Sequence, residues 1–155
     1  MSTPAVLCGT CLGDLEWDPE SELWFADGIP GFENEKRIVP VEIPTQRPLV
    51  YLQSAQTPAL CFLALPASAI QPGFEVRLSA EDLLALELDP ESEPVPGKDI
   101  LCLALLGPAK SGIRANLAAP VVISLHSMRG HQLTPAGGPR YWSLGDHGAW
   151  EGSCS

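Results

Sequence analysis

Cys8-Gly9-Thr10-Cys11 is a spacing with chemistry of its own: two thiols two residues apart can clip a zinc ion or cycle as a redox pair. Neither use finds its supporting residues. A structural zinc needs a second ligand pair, and His126, His131 and His147 do not stand at ligand spacing. A redox pair needs a βαβ setting and a helix N-terminus to lower a thiol pKa, and the flanking residues offer neither. We read the spacing as coincidental, with a redox or metal protein as the competing class. Hydrolysis needs a nucleophile, a base and an orienting group in one pocket. Here His126 follows an apolar run, His131 lies in a turn and His147 lies in the tail. The phosphate-binding loop GxxxxGK[ST], the GxSxG elbow and the HExxH zinc helix are all missing. The expectation is a protein that is not an enzyme and holds no cofactor or metal.

The other ionisable groups are mostly acids. Nine Lys and Arg face nineteen Asp and Glu, for a net charge of −10. Eight carboxylates fall between Asp14 and Glu35 with no cation among them, and a second acidic stretch runs from Glu81 to Asp99 against Lys98 alone. Such a surface repels phosphate, which argues against direct nucleic-acid binding. It serves solubility, or it steers a basic protein partner. Five cysteines are an odd number, so no disulfide framework is expected; Cys61 and Cys102 sit in apolar runs as packed thiols. No apolar run approaches the roughly 18 residues of a membrane helix, and the N-terminus lacks a basic region before an apolar stretch. A cytoplasmic protein with no membrane partner is the expectation.

The elements that position these groups read as strands. Leu15-Glu16-Trp17-Asp18 alternates, with Leu15 and Trp17 on one face. Further strand candidates are Ile38–Ile43, Leu49–Gln53, Leu60–Leu65, Glu75–Leu78, Ile100–Leu106, Val121–Leu125 and a short Gln132–Leu133. Pro40 marks its strand as an edge or a bulge. One short helix is expected after Ser79, whose hydroxyl can cap the N–H of Asp82, with Pro90 as the stop. The length suits one domain. The expected fold is mainly β: a small antiparallel β-barrel-like single domain over residues 1–134, followed by a flexible Gly/Pro-rich tail over 135–155.

Four strings follow one another along the chain, with no internal repeat. Gly28-Ile29-Pro30-Gly31-Phe32-Glu33 is a turn with two glycines around a proline, and it carries two apolar residues. Tyr51-Leu52-Gln53-Ser54, Ala115-Asn116-Leu117-Ala118-Ala119-Pro120 with Val121-Val122-Ile123-Ser124, and Arg129-Gly130-His131-Gln132 follow. This ordered set resembles FliW, the flagellar assembly factor family, from about Thr10 to Gln132. Ser124 stands where that pattern has an asparagine, and the chain beyond Gln132 matches it poorly.

The resemblance implies a β-barrel-like fold and a partner switch without catalysis. A FliW-like protein binds CsrA, a basic RNA-binding translational repressor, and relieves its repression of flagellin mRNA; alternatively it binds flagellin. The resemblance implies partner-binding residues at Ile29, Phe32, Glu33, Glu35, Gln53, Asn116, Arg129 and Gln132. The same polar residues have a structural reading, Asn116 capping a turn and Arg129 pairing with a carboxylate. A dedicated flagellin-binding chaperone without a translational role is the nearer alternative.

Overall fold

The computed structural model describes residues 5–10, 12–29, 31–109, 112–133 and 141–143. The chain starts with an antiparallel hairpin, β1 (Ala5–Thr10) and β2 (Gly13–Trp17), which forms a two-stranded sheet of its own. In β2, Leu15 and Trp17 are half-buried while Glu16 is exposed, as alternation requires. A 3-10 turn at Pro19–Ser21, capped by the Asp18 carboxylate, leads to β3 (Leu23–Trp24).

Together with β3, the remaining strands build an eight-stranded antiparallel sheet. They are β4 (Arg37–Glu42), β5 (Val50–Ser54), β6 (Cys61–Pro66), β7 (Ile100–Ala109), β8 (Gly112–Ser124), β9 (Gly130–Gln132) and β10 (Tyr141–Ser143). Each of β3 to β8 pairs with its neighbour in sequence, while β9 and β10 both pair with β8. The two ends of the sheet then meet: Trp24 N–H donates to the Met128 carbonyl at 3.0 Å, and Trp24 bridges Arg129. The sheet is a nearly closed barrel, which leaves little unpaired edge. Pro40 is accommodated because β3 reaches only Arg37 and Ile38, so that side of β4 needs no donor at Pro40.

The barrel interior is filled by Leu23, Phe25, Ile38, Leu52, Val121 and Ile123, among others. Burying each such side chain contributes about 1.5–3 kcal/mol before entropy is charged against it. Gly130 lies against the Phe25 ring, where a Cβ would come within 2.3 Å of ring carbon.

Among the described residues two α-helices are present where one was expected. The unforeseen one, α1 (Ala67–Ile70), is a single turn after Pro66 with no side-chain cap, too short to leave a periodic signature. The expected one, α2 (Ala80–Ala85), has a full capping box: Ser79 Oγ accepts from Asp82 N–H at 3.1 Å, and Asp82 Oδ2 accepts from Ser79 N–H at 2.8 Å. It stops ahead of Pro90, at Leu86, because Glu87 turns to φ 57°.

Other expectations are corrected. Glu75–Leu78 joins no sheet, although burial alternates along it as on a strand. β8 starts at Gly112, well before Val121; between the Leu105–Asn116 and Leu103–Val121 pairs, residues 117–120 stand opposite Ala104 alone, a bulge that breaks the alternation. Of the expected tail, Tyr141–Ser143 is β10 and the remainder lies outside the described residues.

Candidate docking surface

The turn after β3 is built around two tight approaches. Gly28 has φ 65°, and a Cβ there would lie 2.6 Å from the Glu33 backbone, so only glycine fits. Ile29 and Phe32 exchange backbone hydrogen bonds at 3.4 and 2.6 Å, and Pro30 between them lies outside the described residues. This closure splits the two apolar side chains. Ile29 is 2% exposed and plugs the barrel core beside Phe25. Phe32 is 43% exposed and stands edge-on to Phe62 of β6, with ring centroids 5.2 Å apart at 79°. An exposed aromatic held by an edge contact keeps its orientation at little entropic cost on binding. The neighbouring Asp27 and Glu33 are exposed. Glu33 Oε1 accepts from Gly31 N–H at 3.1 Å.

Behind the turn, polar side chains anchor it. Glu35 accepts from Ser54 Oγ at 2.5 Å and from Thr57 Oγ1 at 2.7 Å, tying the turn to the β5–β6 connection. Ser54 Oγ in turn accepts from the Gln56 and Thr57 N–H groups. Gln53 is fully buried, and its Nε2 lies within reach of the Ser54, Thr57 and Pro58 carbonyls at 3.0, 3.3 and 3.2 Å. Inside a protein such carbonyls must find donors, so Gln53 holds the loop's shape. Its side chain, like that of Ile29, lies inside the fold and away from the surface.

Asn116 and Gln132 meet at the β8 bulge. Asn116 Oδ1 accepts from Ala119 N–H at 3.1 Å, and Gln132 Nε2 donates to the Ala119 carbonyl at 3.0 Å. They hold one residue, Ala119, by its N–H and by its carbonyl. Arg129 pairs with Glu87 at 3.0 Å, and its carbonyl accepts from Ser124 N–H. Of the eight anticipated contact residues, then, Glu35, Gln53, Asn116 and Gln132 have internal bonding roles, while Phe32 and Glu33 share one exposed turn.

The acidic stretches thin out in the same way. Glu22 accepts from Arg37 at 2.8 and 3.2 Å and from Trp17 Nε1 at 2.9 Å. The Arg37 hydrogen bonds hold its carboxyl below the usual range, against the effect of burial. For Asp82, burial pushes up, but hydrogen bonds from Ser79 and His131 outweigh it and leave the carboxyl lowered. Asp99 is lowered by its hydrogen bond with His126 at 2.8 Å and by the Val95 N–H. Glu16, Glu20, Asp27, Glu81 and Glu93 are among the acids left facing solvent.

For the cysteine pair, Cys8 is exposed on β1 and Cys11 lies outside the described residues. Among the described residues no three His, Cys, Asp or Glu side chains converge as metal ligands. Burial pushes the Cys102 thiol up to about 11, so it stays protonated and unreactive at neutral pH. Among the described residues no helix is long and apolar enough to cross a membrane.

These features describe a small β-barrel-like protein whose built surface feature is a braced turn carrying one aromatic among carboxylates. The FliW protein family model matches residues 7–142, which reaches past Gln132 into β10, and the chain belongs to that family. It is 32% identical over 130 residues to the flagellar assembly factor FliW of Syntrophomonas wolfei, covering 82% of this chain and 79% of that one. With the flagellar assembly factor FliW of Geobacillus thermodenitrificans it shares 32% identity over 123 residues, 78% of this chain and 81% of the relative. A crystal structure of the flagellar assembly factor FliW superposes with a TM-score of 0.74 at 28% identity, over 89% of this chain and 93% of the other.

Proposed function

We propose that this chain is a cytoplasmic, non-catalytic flagellar assembly factor that works by exchanging two protein partners. One partner is a CsrA-type RNA-binding repressor, whose hold on flagellin mRNA the chain antagonises; the other is flagellin. While unsecreted flagellin is present it occupies the chain and leaves the repressor active. Export of flagellin frees the chain to capture the repressor, and translation resumes. No bond is made or broken in this scheme. The switch follows from mass action, and it requires only that occupancy by one partner lower the affinity for the other.

The observation that carries this reading is the orientation of Phe32. The turn spends Ile29, Glu35 and a buried Gln53 network on holding its shape, and the product is one aromatic kept 43% exposed beside Asp27 and Glu33. We assign Phe32 to an apolar contact with flagellin and Glu33, with Asp27, to steering the basic repressor. Calorimetric titrations test both assignments. Phe32→Ala should weaken flagellin binding by about thirtyfold, a hot-spot loss of roughly 2 kcal/mol. Glu33→Lys should slow repressor association and flatten its salt dependence. Unchanged affinities for both variants would remove the turn from the interface.

A further inference from the structure

Phe74–Ser79 runs without turn, bend or ladder partner between α1 and α2. Its side chains alternate, Phe74, Val76 and Leu78 half-buried and Glu75 and Arg77 exposed, which is the signature of a strand lying on a core. Val76 and Leu78 pack against the buried Leu86, Ile100, Val122 and Leu133. Yet among the described residues no backbone N–H or C=O of Glu75–Leu78 has a hydrogen-bond partner. The segment has the side-chain pattern of a strand and a row of donors and acceptors that no described residue uses.

The reason lies opposite. A groove of about 530 Å³ separates this segment from Ser92–Pro96, and the far wall carries Pro94 and Pro96, which have no N–H to offer. The chain cannot satisfy the segment from that side. The groove floor is apolar, with Phe74, Val76, Leu78 and Ile100, and its charged lining groups are Glu75 and Glu93. A second hollow of about 310 Å³, beside Leu101 and Cys102, flanks the same segment and shares Phe74, Val76 and Pro96. Volumes of this size match ordinary ligand clefts.

We infer that Glu75–Leu78 is an acceptor strand, completed by an extended segment of a protein partner that alternates apolar residues with lysine or arginine. The partner's backbone would pair with the open row, its apolar side chains would enter the groove, and its cations would meet Glu75 and Glu93. No residue of the Phe32 turn takes part, so the inference stands apart from the proposed switch.

Hydrogen exchange on the full-length chain tests it, with a blocked octapeptide of alternating lysine and valine as the probe. Without peptide, the amides of Glu75–Leu78 should exchange close to the unprotected rate. At about ten times its Kd the peptide should slow alternate amides of the segment about tenfold, since only the unbound tenth exchanges. The same peptide N-methylated at alternate amides should give no protection, and a glutamate–valine peptide should bind more weakly. In a Glu75→Lys, Glu93→Lys double variant, both changes at exposed positions, that charge preference should reverse. Three results would overturn the inference. One is no slowing at peptide concentrations up to about 1 mM. Another is equal slowing by the N-methylated peptide. The third is protection that grows with protein concentration alone, which would mean that two copies of this chain pair with each other.

Discussion

Gly130→Ala is the sharpest test of how the barrel closes. Gly130 opens β9, paired with Ile123, next to the point where Trp24 bridges Arg129. An alanine Cβ would sit 2.3, 2.4 and 2.6 Å from Cζ, Cε1 and Cε2 of Phe25, against a comfortable carbon–carbon distance of about 3.5–4.0 Å. The overlap therefore exceeds about 1 Å at three atoms at once. Phe25 is wholly buried and packs with Leu23, Ile29 and Ile38, so the ring cannot retreat without displacing other core side chains. Overpacking of this kind costs about 1–3 kcal/mol, and the triple contact puts this case near 3. For a domain of this size that is a fall in Tm of about 6–12 °C. Urea unfolding followed by tryptophan fluorescence would show the lower midpoint. Phe25→Ala alone should cost about 3–5 kcal/mol. Adding Gly130→Ala to it should cost little more, because the ring that clashed is gone. A single Gly130→Ala variant within about 0.5 kcal/mol of the parent would refute the closed packing, and so would strict additivity in the double variant.

Other outcomes follow from the bracing groups. Gln53→Leu should destabilise by about 1–3 kcal/mol, because it removes the buried amide donor that the Ser54 and Pro58 carbonyls share with the Thr57 carbonyl, which also accepts from Leu60 N–H; thermal unfolding reads it, and a neutral result would mean that those carbonyls find other partners. Glu22 and Asp82 have lowered carboxyls in the folded state, so each adds stability above its ordinary value, 4.5 and 3.8 respectively, and loses it as pH falls through the depressed folded value. Urea midpoints should therefore drop steeply below about pH 4.5, and a Glu22→Gln, Asp82→Asn variant should show a shallower drop. An equal slope in parent and variant would assign the acid sensitivity to other groups.

Much of this fold can be read from alternation and turn chemistry. The Ile38–Ile43, Leu49–Gln53 and Leu60–Leu65 runs become β4, β5 and β6 because each is short, β-rich and bounded by proline or small polar residues. The capping box at Ser79 is visible for the same reason: a cap is a local interaction. Three things were hidden. The β8 bulge inverts facing between Asn116 and Val121, and period-two reasoning has no way to anticipate three extra residues. The single-turn helix at Ala67 is shorter than one hydrophobic period. Glu75–Leu78 shows that a strand pattern specifies a face to bury but not a neighbour to pair with. At the site, the four strings fall on tightly bonded stretches of the chain. They could not say which side chains point outward: Ile29 and Gln53 turn in, Phe32 turns out, and only the closed Ile29–Phe32 bridge separates them.

The central claim is that two proteins compete for one negatively charged β-barrel body. It is tested most directly by titrating the purified chain with a CsrA-type repressor at low salt, first alone and then with saturating flagellin. The account predicts micromolar or tighter binding of the repressor alone, weakening as salt rises, and suppression once flagellin is bound. Simultaneous binding of both at undiminished affinity, or indifference to both, would contradict it.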